Sequence, residues 1–376
     1  MKVFIVAHEK DDHTAPLKWA LERAGYPVFC WPGLGWSSER QASIHFAGEA
    51  EVSLGGCSLE AGDVVWIRRP QPASPHPEVA EPDKKFAQGE YRWFNDSLLY
   101  SLEFLPVRCV NHYSASRLIR NKAVQLVLAR QCGLKVPSTL MSNTPAAVRS
   151  YLAETSGPKI CKAFFPHIWQ RDGGKSLAVT ATFEINETMV GSDAVLTYAP
   201  AIYQTMVKKP FDVRMVLLGT SIYSYALYNP KGSTDWRQDA CLGHVQVESI
   251  ETPEEVSRGV LAFAQRAGIR FGSLDFAVDE KGAWWFLEIN EEGQFLWIDA
   301  TNPEAHIQEK FLAFLTSPEG ASRQSIEERQ SLFPSWKEYA DSTTWELPTP
   351  EQAGALPDFV SVETPSTDTR GGSPKP

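Results

Sequence analysis

The chain has 376 residues, of which 43% are hydrophobic and 22% charged, and a formal net charge of -10. That length exceeds what a single core usually fills, so two or three structural units are expected. The acidic balance opposes nucleic-acid backbones and anionic membrane surfaces, and no apolar run is long enough to cross a bilayer.

In chain order, Val3 to Ala7 is a short apolar run. It is too short for the core of a signal peptide and reads as a first buried strand. Strand-like Asp63 to Ile67 and Val107 to Asn111 alternate with helical Ala15 to Ala24 and Tyr91 to Phe104, which predicts an α/β unit over residues 1–112. A second unit, 113–200, opens with one helix from Ser114, carrying Ala115, Leu118, Ile119, Ala123 and Leu126 at helical spacing and closing near Gly133. A helix at Thr144-Pro145 and a strand over Lys159 to Ala163 follow.

A third unit, 201–318, has strands near Ala201 to Val207, Val213 to Leu218 and Ile222 to Tyr228, then a capping box at Thr252-Pro253-Glu254-Glu255. Two further strands, Ser273 to Val278 and Ala283 to Asn290, are joined as a hairpin by Asp279-Glu280-Lys281-Gly282. Residues 319–376 turn rich in Ser, Thr, Glu and Pro and read as a low-complexity, partly disordered tail. Six cysteines without a C-x-x-C pair speak against a zinc site or disulfide framework and suit the reducing cytoplasm.

The hairpin carries the strongest chemical signal. Trp284, Phe286, Glu288 and Asn290 share one face of a strand because side chains alternate. With a two-residue turn, Asp275 lies diagonal to Glu288, roughly 7 to 8 Å away between backbones; a four-residue turn places it directly opposite. Either way two carboxylates and an amide oxygen converge, an all-oxygen set suited to Mg²⁺. The bland reading is a solvated polar face, which fits poorly with an otherwise apolar strand.

Phe286-Leu287-Glu288-Ile289-Asn290, continued by Glu291-Glu292-Gly293-Gln294-Phe295-Leu296-Trp297, resembles the metal-binding segment of ATP-grasp ligases, in particular the graspetide (microviridin-type) peptide ligases. Val65 to Pro70, Asn111, Asn121 to Leu126 and Val136 to Leu140 continue the resemblance in order, over about residues 1–315. It implies an ATP-grasp fold of α/β (α+β) class: an N-terminal pre-ATP-grasp domain, a central small domain, and a C-terminal domain gripping ATP between two antiparallel sheets. Carried over residue by residue, it makes Asp275, Glu288 and Asn290 ligands of Mg²⁺, two ions in all, and Lys122 and Lys162 the cations on the ATP phosphates. Gln204, Thr205, Met206 and Val207 would meet adenine through backbone groups, with Lys208 near the ribose. Arg214 and Arg237 would face the transferring phosphoryl group, as bidentate, permanently charged guanidinium groups suit. The sequence departs from the family at Thr205, where an acid is common, and at Glu291, where Pro is common; Glu291 would tune substrate electrostatics or face solvent.

The implied reaction is ATP-dependent joining of a carboxylate to an amine or hydroxyl through an acyl phosphate, forming ω-ester or ω-amide macrocycles in a ribosomal precursor peptide bound by its leader. The alternatives are a ligase of a small carboxylate, of the glutathione-synthetase or glutamate-ligase kind, and a non-catalytic ATP-binding protein. A homodimer is the family's suggestion. Gly173-Gly174-Lys175-Ser176 does not complete a Walker A loop, because the Gly required five places before Gly174 is missing and Trp169 stands there. The stretch Phe164 to Thr182 instead resembles the hairpin that covers ATP.

Overall fold

Val3–Val6 is buried at all four positions and lies between two parallel neighbours, Val28–Trp31 and Val64–Ile67; Arg108–Val110 completes the sheet. A parallel strand covered on both faces needs apolar side chains throughout, which is why this run does not alternate. The computed structural model describes residues 1–8, 11–48, 50–154, 157–164, 182–231, 243–318 and 321–343, and the backbone alone of 168–171 and 176–179. Two compact units result: Met1–Ser138 with the described residues from Val207 onward, and Thr139–Met206.

The first unit also holds a five-stranded antiparallel sheet in the order Gln246–Ile250, Ser221–Tyr228, Phe211–Leu218, Phe271–Val278, Trp284–Asn290. Its core joins Val213, Met215, Leu274, Phe276 and Phe286 from the sheet to Val256, Val260 and Phe263 from the helix Glu254–Ala267. Each fully buried Phe of this set contributes roughly 1.5–3 kcal/mol. Gly268 ends that helix at φ 70°, the left-handed cap that favours glycine. At the other end the capping box is not formed: Pro253 holds the cap position, and the Thr252 hydroxyl is 2.7 Å from Ser224 Oγ.

The helix expected from Ser114 is two, Tyr113–Ile119 and Lys122–Gln131. Between them Asn121 is extended, and its side chain accepts from the N–H groups of Ala123 (3.1 Å) and Val124 (3.2 Å). The apolar periodicity runs through the break, so pattern alone merges the pieces. Lys122 is thereby the first residue of a capped helix.

In the second unit, Ala201–Thr205 runs antiparallel between Thr139–Ser142 and Lys159–Lys162, with Phe183–Ile185 on the far side of the latter. Ile168–Arg171 and Ser176–Val179 pair as an antiparallel hairpin, as expected for this stretch. The start of the predicted tail is folded: Arg323–Arg329 and Trp336–Ser342 are helices, and Ile326 is buried. Its remainder from 344 lies outside the described residues. Among the described residues no helix is long and apolar enough to cross a membrane.

Candidate active site

The hairpin reaches its geometry by a route neither turn length anticipated. Val278 pairs with Trp284 across a five-residue connection, and Phe276 pairs with Phe286. Continued regularly, that register would put Asp275 opposite Leu287 and turn it away from Glu288. A bulge between Asp275 and Phe276 absorbs Leu287 of the facing strand instead, and Asp275 pairs directly with Glu288. Asp279 closes the connection, accepting from the Lys281 and Ala283 N–H groups and from Trp285 Nε1, 2.9 Å each.

The strand carrying Glu288 is the edge of its sheet, yet its outer backbone is engaged. Ile289 N–H donates to Gln125 Oε1 (3.1 Å), Gln125 Nε2 donates to Ile289 O (3.0 Å), and Phe286 N–H donates to Lys135 O (2.8 Å). A buried glutamine thus does the work of another strand, which fixes the edge.

Arg214 pairs in register with Asp275, so Arg214, Asp275 and Glu288 form one row across three strands. Lys122 extends it from its helix, with Nζ 2.5 Å from Glu288 Oε2. Arg214 Nη1 donates to Asp275 Oδ1 at 2.8 Å. The order of charges is plus, minus, minus, plus. Two carboxylates directly opposed on neighbouring strands repel one another, and Lys122 and Arg214 flank the pair. A divalent cation between them is the complement this arrangement calls for. Both acids are partly open to solvent, at 14% for Asp275 and 27% for Glu288, which suits Mg²⁺, a hard ion that keeps several waters.

Asn290, two residues further along, uses its side-chain oxygen to accept from Glu292 N–H at 3.0 Å, closing the turn that leaves the strand. An amide oxygen has a second lone pair, so it could still ligate. Among the described residues no three His, Cys, Asp or Glu side chains converge, so any metal site here rests on two carboxylates and this amide.

Arg214 has further partners. Its Nη2 donates to the carbonyls of Gly293 and Gln294, 2.9 Å each, and its Nε is buried. The guanidinium thus joins Asp275 to the loop and can position both. Asp212, two residues earlier on the same strand, binds Lys209 Nζ at 2.6 Å.

Sequence reasoning missed the network that fixes the 290–296 loop. Glu291 is buried and paired with Arg120, which also reaches Glu292, so it does not face solvent. Burial raises the Glu291 pKa from its ordinary value while Arg120 opposes the shift. Arg69 Nε donates to Glu292 Oε2 at 2.5 Å, and Arg68 donates to the Glu292 carbonyl. His13 Nε2 accepts from the Phe295 N–H at 3.0 Å, and burial with three nearby arginines drives its pKa well below the ordinary value. The available signal was the density of ionisable residues from Glu288 to Glu292, since acids in such a segment need cationic partners.

Of the remaining predicted residues, Lys162 ends its strand half-buried, in register with Ile202. Gln204 is buried, donating Nε2 to Thr139 Oγ1 at 2.9 Å, so its side chain faces into the unit. Thr205 ends the strand, and Met206 N–H donates to Pro158 O at 2.9 Å. Val207 and Lys208 follow outside any strand, with Lys208 exposed and 3.2 Å from Glu280. Arg237 lies outside the described residues.

No family model matches the sequence, and no curated protein matches it. Solved structures do. A RiPP-associated ATP-grasp ligase of Chryseobacterium gregarium, in complex with ADP and a leader and core peptide, matches with a TM-score of 0.70 at 20% identity, over 86% of this chain and 99% of that one. The macrocyclase MdnC of Microcystis aeruginosa, bound with precursor peptide MdnA, matches with a TM-score of 0.69 at 22% identity, over 84% and 99%. The ATP-grasp ligase PsnB, complexed with a phosphomimetic variant of its minimal precursor, Mg and ADP, gives 0.64 at 20% identity, over 84% and 97%. The chain therefore has the fold of ATP-grasp ligases, as its motifs led one to expect.

Proposed function

We propose that this protein is an ATP-dependent ligase that activates a carboxylate and joins it to a hydroxyl or amine of the same ribosomally made precursor peptide, closing a macrocycle. The observation that carries the reading is the row Lys122, Glu288, Asp275, Arg214, in which two carboxylates stand directly opposed on neighbouring strands. Three structural neighbours described with bound peptide, two of them also with ADP and one with Mg, support the substrates and the ion. Asp275, Glu288 and Asn290 would hold Mg²⁺, which when bound neutralises charge on the nucleotide's β and γ oxygens.

In the first step a carboxylate oxygen of the peptide attacks the γ-phosphorus, the bond to ADP breaks, and an acyl phosphate forms. A hydroxyl or amine then attacks the acyl carbon, phosphate leaves, and the nucleophile's proton passes to phosphate or solvent. Lys122 and Lys162 bind phosphate oxygens, and the backbone of Gln204 to Val207 with Lys208 binds the nucleoside. Arg214 fixes Asp275 and the 293–294 carbonyls, so the carboxylates are pre-organised. Arg237 is assigned to the acyl phosphate. The free cysteines among the described residues and the use of ATP favour a cytoplasmic enzyme.

The test is incubation of the full chain with ATP, Mg²⁺ and any Thr/Ser/Asp/Glu-rich peptide that a short reading frame beside its gene encodes, followed by mass spectrometry. Loss of one water per link, with one ADP formed for each, is expected. ATP-independent mass change, or none with any such peptide, overturns the reading.

A further inference from the structure

A pocket of about 190 Å³ opens in the first unit, lined by Asp11, Asp12, His13, Arg68, Arg69 and Gln294, among others. None of these residues has a part in holding nucleotide or metal above. The volume lies below the roughly 300–1,000 Å³ of pockets that take whole small molecules, so it has room for one side chain and not for a nucleotide.

The two arginines differ in what they have left to offer. Arg68 is fully engaged: Nε donates to Asp11 Oδ1 at 2.7 Å, Nη2 lies 2.9 Å from His13 Nδ1, and the third nitrogen reaches the Glu292 carbonyl. It also neutralises Asp11. Arg69 is anchored through Nε on Glu292, and its outer fork, Nη1 and Nη2, meets a single neutral atom among the described residues. With the Gln294 amide assigned so that its oxygen faces the arginine, that atom is the amide oxygen, 2.9 Å from each nitrogen. Such a fork matches two carboxylate oxygens far better than one amide oxygen.

Gln294 is held there by its backbone. It sits at φ 77°, a left-handed conformation uncommon outside glycine, and its carbonyl accepts from Arg214 Nη2 (2.9 Å) and Trp297 Nε1 (3.0 Å). The same guanidinium grips Asp275. The rim of the pocket and the carboxylate row are therefore one side chain apart.

We propose that this pocket seats the side-chain carboxylate that the enzyme activates, the acid displacing the Gln294 amide from the Arg69 fork. The inference rests on the ligase reading above and adds the place where the acid binds. Asp12, exposed at the rim, disfavours more highly charged anions such as phosphate.

The experiment is calorimetric titration of the full chain with N-acetyl-glutamate amide, with N-acetyl-glutamine amide and with inorganic phosphate, each with and without Mg·ADP. Gln294→Glu places a carboxylate on the fork within the protein's own chain, and Arg69→Lys keeps the charge while removing the fork. The wild type should bind the acid at least about tenfold more tightly than the amide or phosphate, and both variants should weaken the acid by about tenfold or more. Mg·ADP affinity should not change in either variant. Equal binding of acid and amide, phosphate binding as tight as the acid, or undiminished acid binding by Gln294→Glu each overturns the pocket assignment. Failure of Mg·ADP to bind the wild type would strike the ligase reading instead.

Discussion

Asp275 and Glu288 face each other directly across neighbouring strands because Leu287 is an extra residue between two registers. If they hold one ion, removing either charge removes the same function, and their effects do not add. Asp275→Asn and Glu288→Gln should each lower ligation by about a hundredfold or more, and the double variant should be no worse than the worse single. Steady-state rates across a Mg²⁺ titration check this; additive losses would show two separate roles.

Arg214 joins that pair to the loop through three hydrogen bonds. Lysine keeps the charge but cannot span three acceptors. Arg214→Lys should cost at least about 2 kcal/mol of stability, since bonds to charged groups contribute roughly 1.5–3 kcal/mol each. It should also raise the Mg²⁺ concentration giving half-maximal rate, which a purely structural role would leave alone. Urea unfolding and the metal titration measure the two effects.

Gly293 has φ 86°, and a Cβ there would stand 2.6 Å from Phe271 Cζ and 3.0 Å from Phe295 Cδ1. Both rings are fully buried and cannot yield. Gly293→Ala should destabilise by about 2–4 kcal/mol, combining left-handed strain with overpacking. An unchanged urea midpoint would mean the loop relaxes freely.

Burial and the neighbouring Glu309 push the Asp299 carboxyl up to about 8, against two backbone hydrogen bonds, from Ile307 (2.8 Å) and Gln308 (2.7 Å), that oppose the shift. The folded chain then keeps a proton that the unfolded chain releases near pH 4. This contribution to stability is fully present below about pH 4 and is lost as pH rises towards 8. Melting measured from pH 5 to 8 should fall more steeply in the wild type than in Asp299→Asn; parallel curves would contradict the assignment.

The fold was legible where local pattern and tertiary demand agree. Val3–Val6, the hairpin strands and the ATP-grasp motifs around Glu288 all state themselves in a few residues. The split at Asn121 was hidden because Ile119 and Ala123 keep helical phase across it. The bulge at Leu287 was hidden because an apolar residue absorbed into a strand looks like any other strand residue. The partnerships of Glu291 with Arg120 and of Glu292 with Arg69 span 171 and 223 positions, which no local pattern encodes. The partners of Arg214 include backbone carbonyls 79 and 80 residues away, which the sequence around it does not announce.

The central claim is that Asp275 and Glu288 together hold a magnesium-bound nucleotide. Calorimetric titration of the full chain with ADP, with and without Mg²⁺, in wild type and in Glu288→Gln, tests it most directly. The account predicts binding that requires Mg²⁺ in the wild type and is lost in the variant, with its melting curve still cooperative. Equally tight, Mg²⁺-dependent binding in the variant would contradict it.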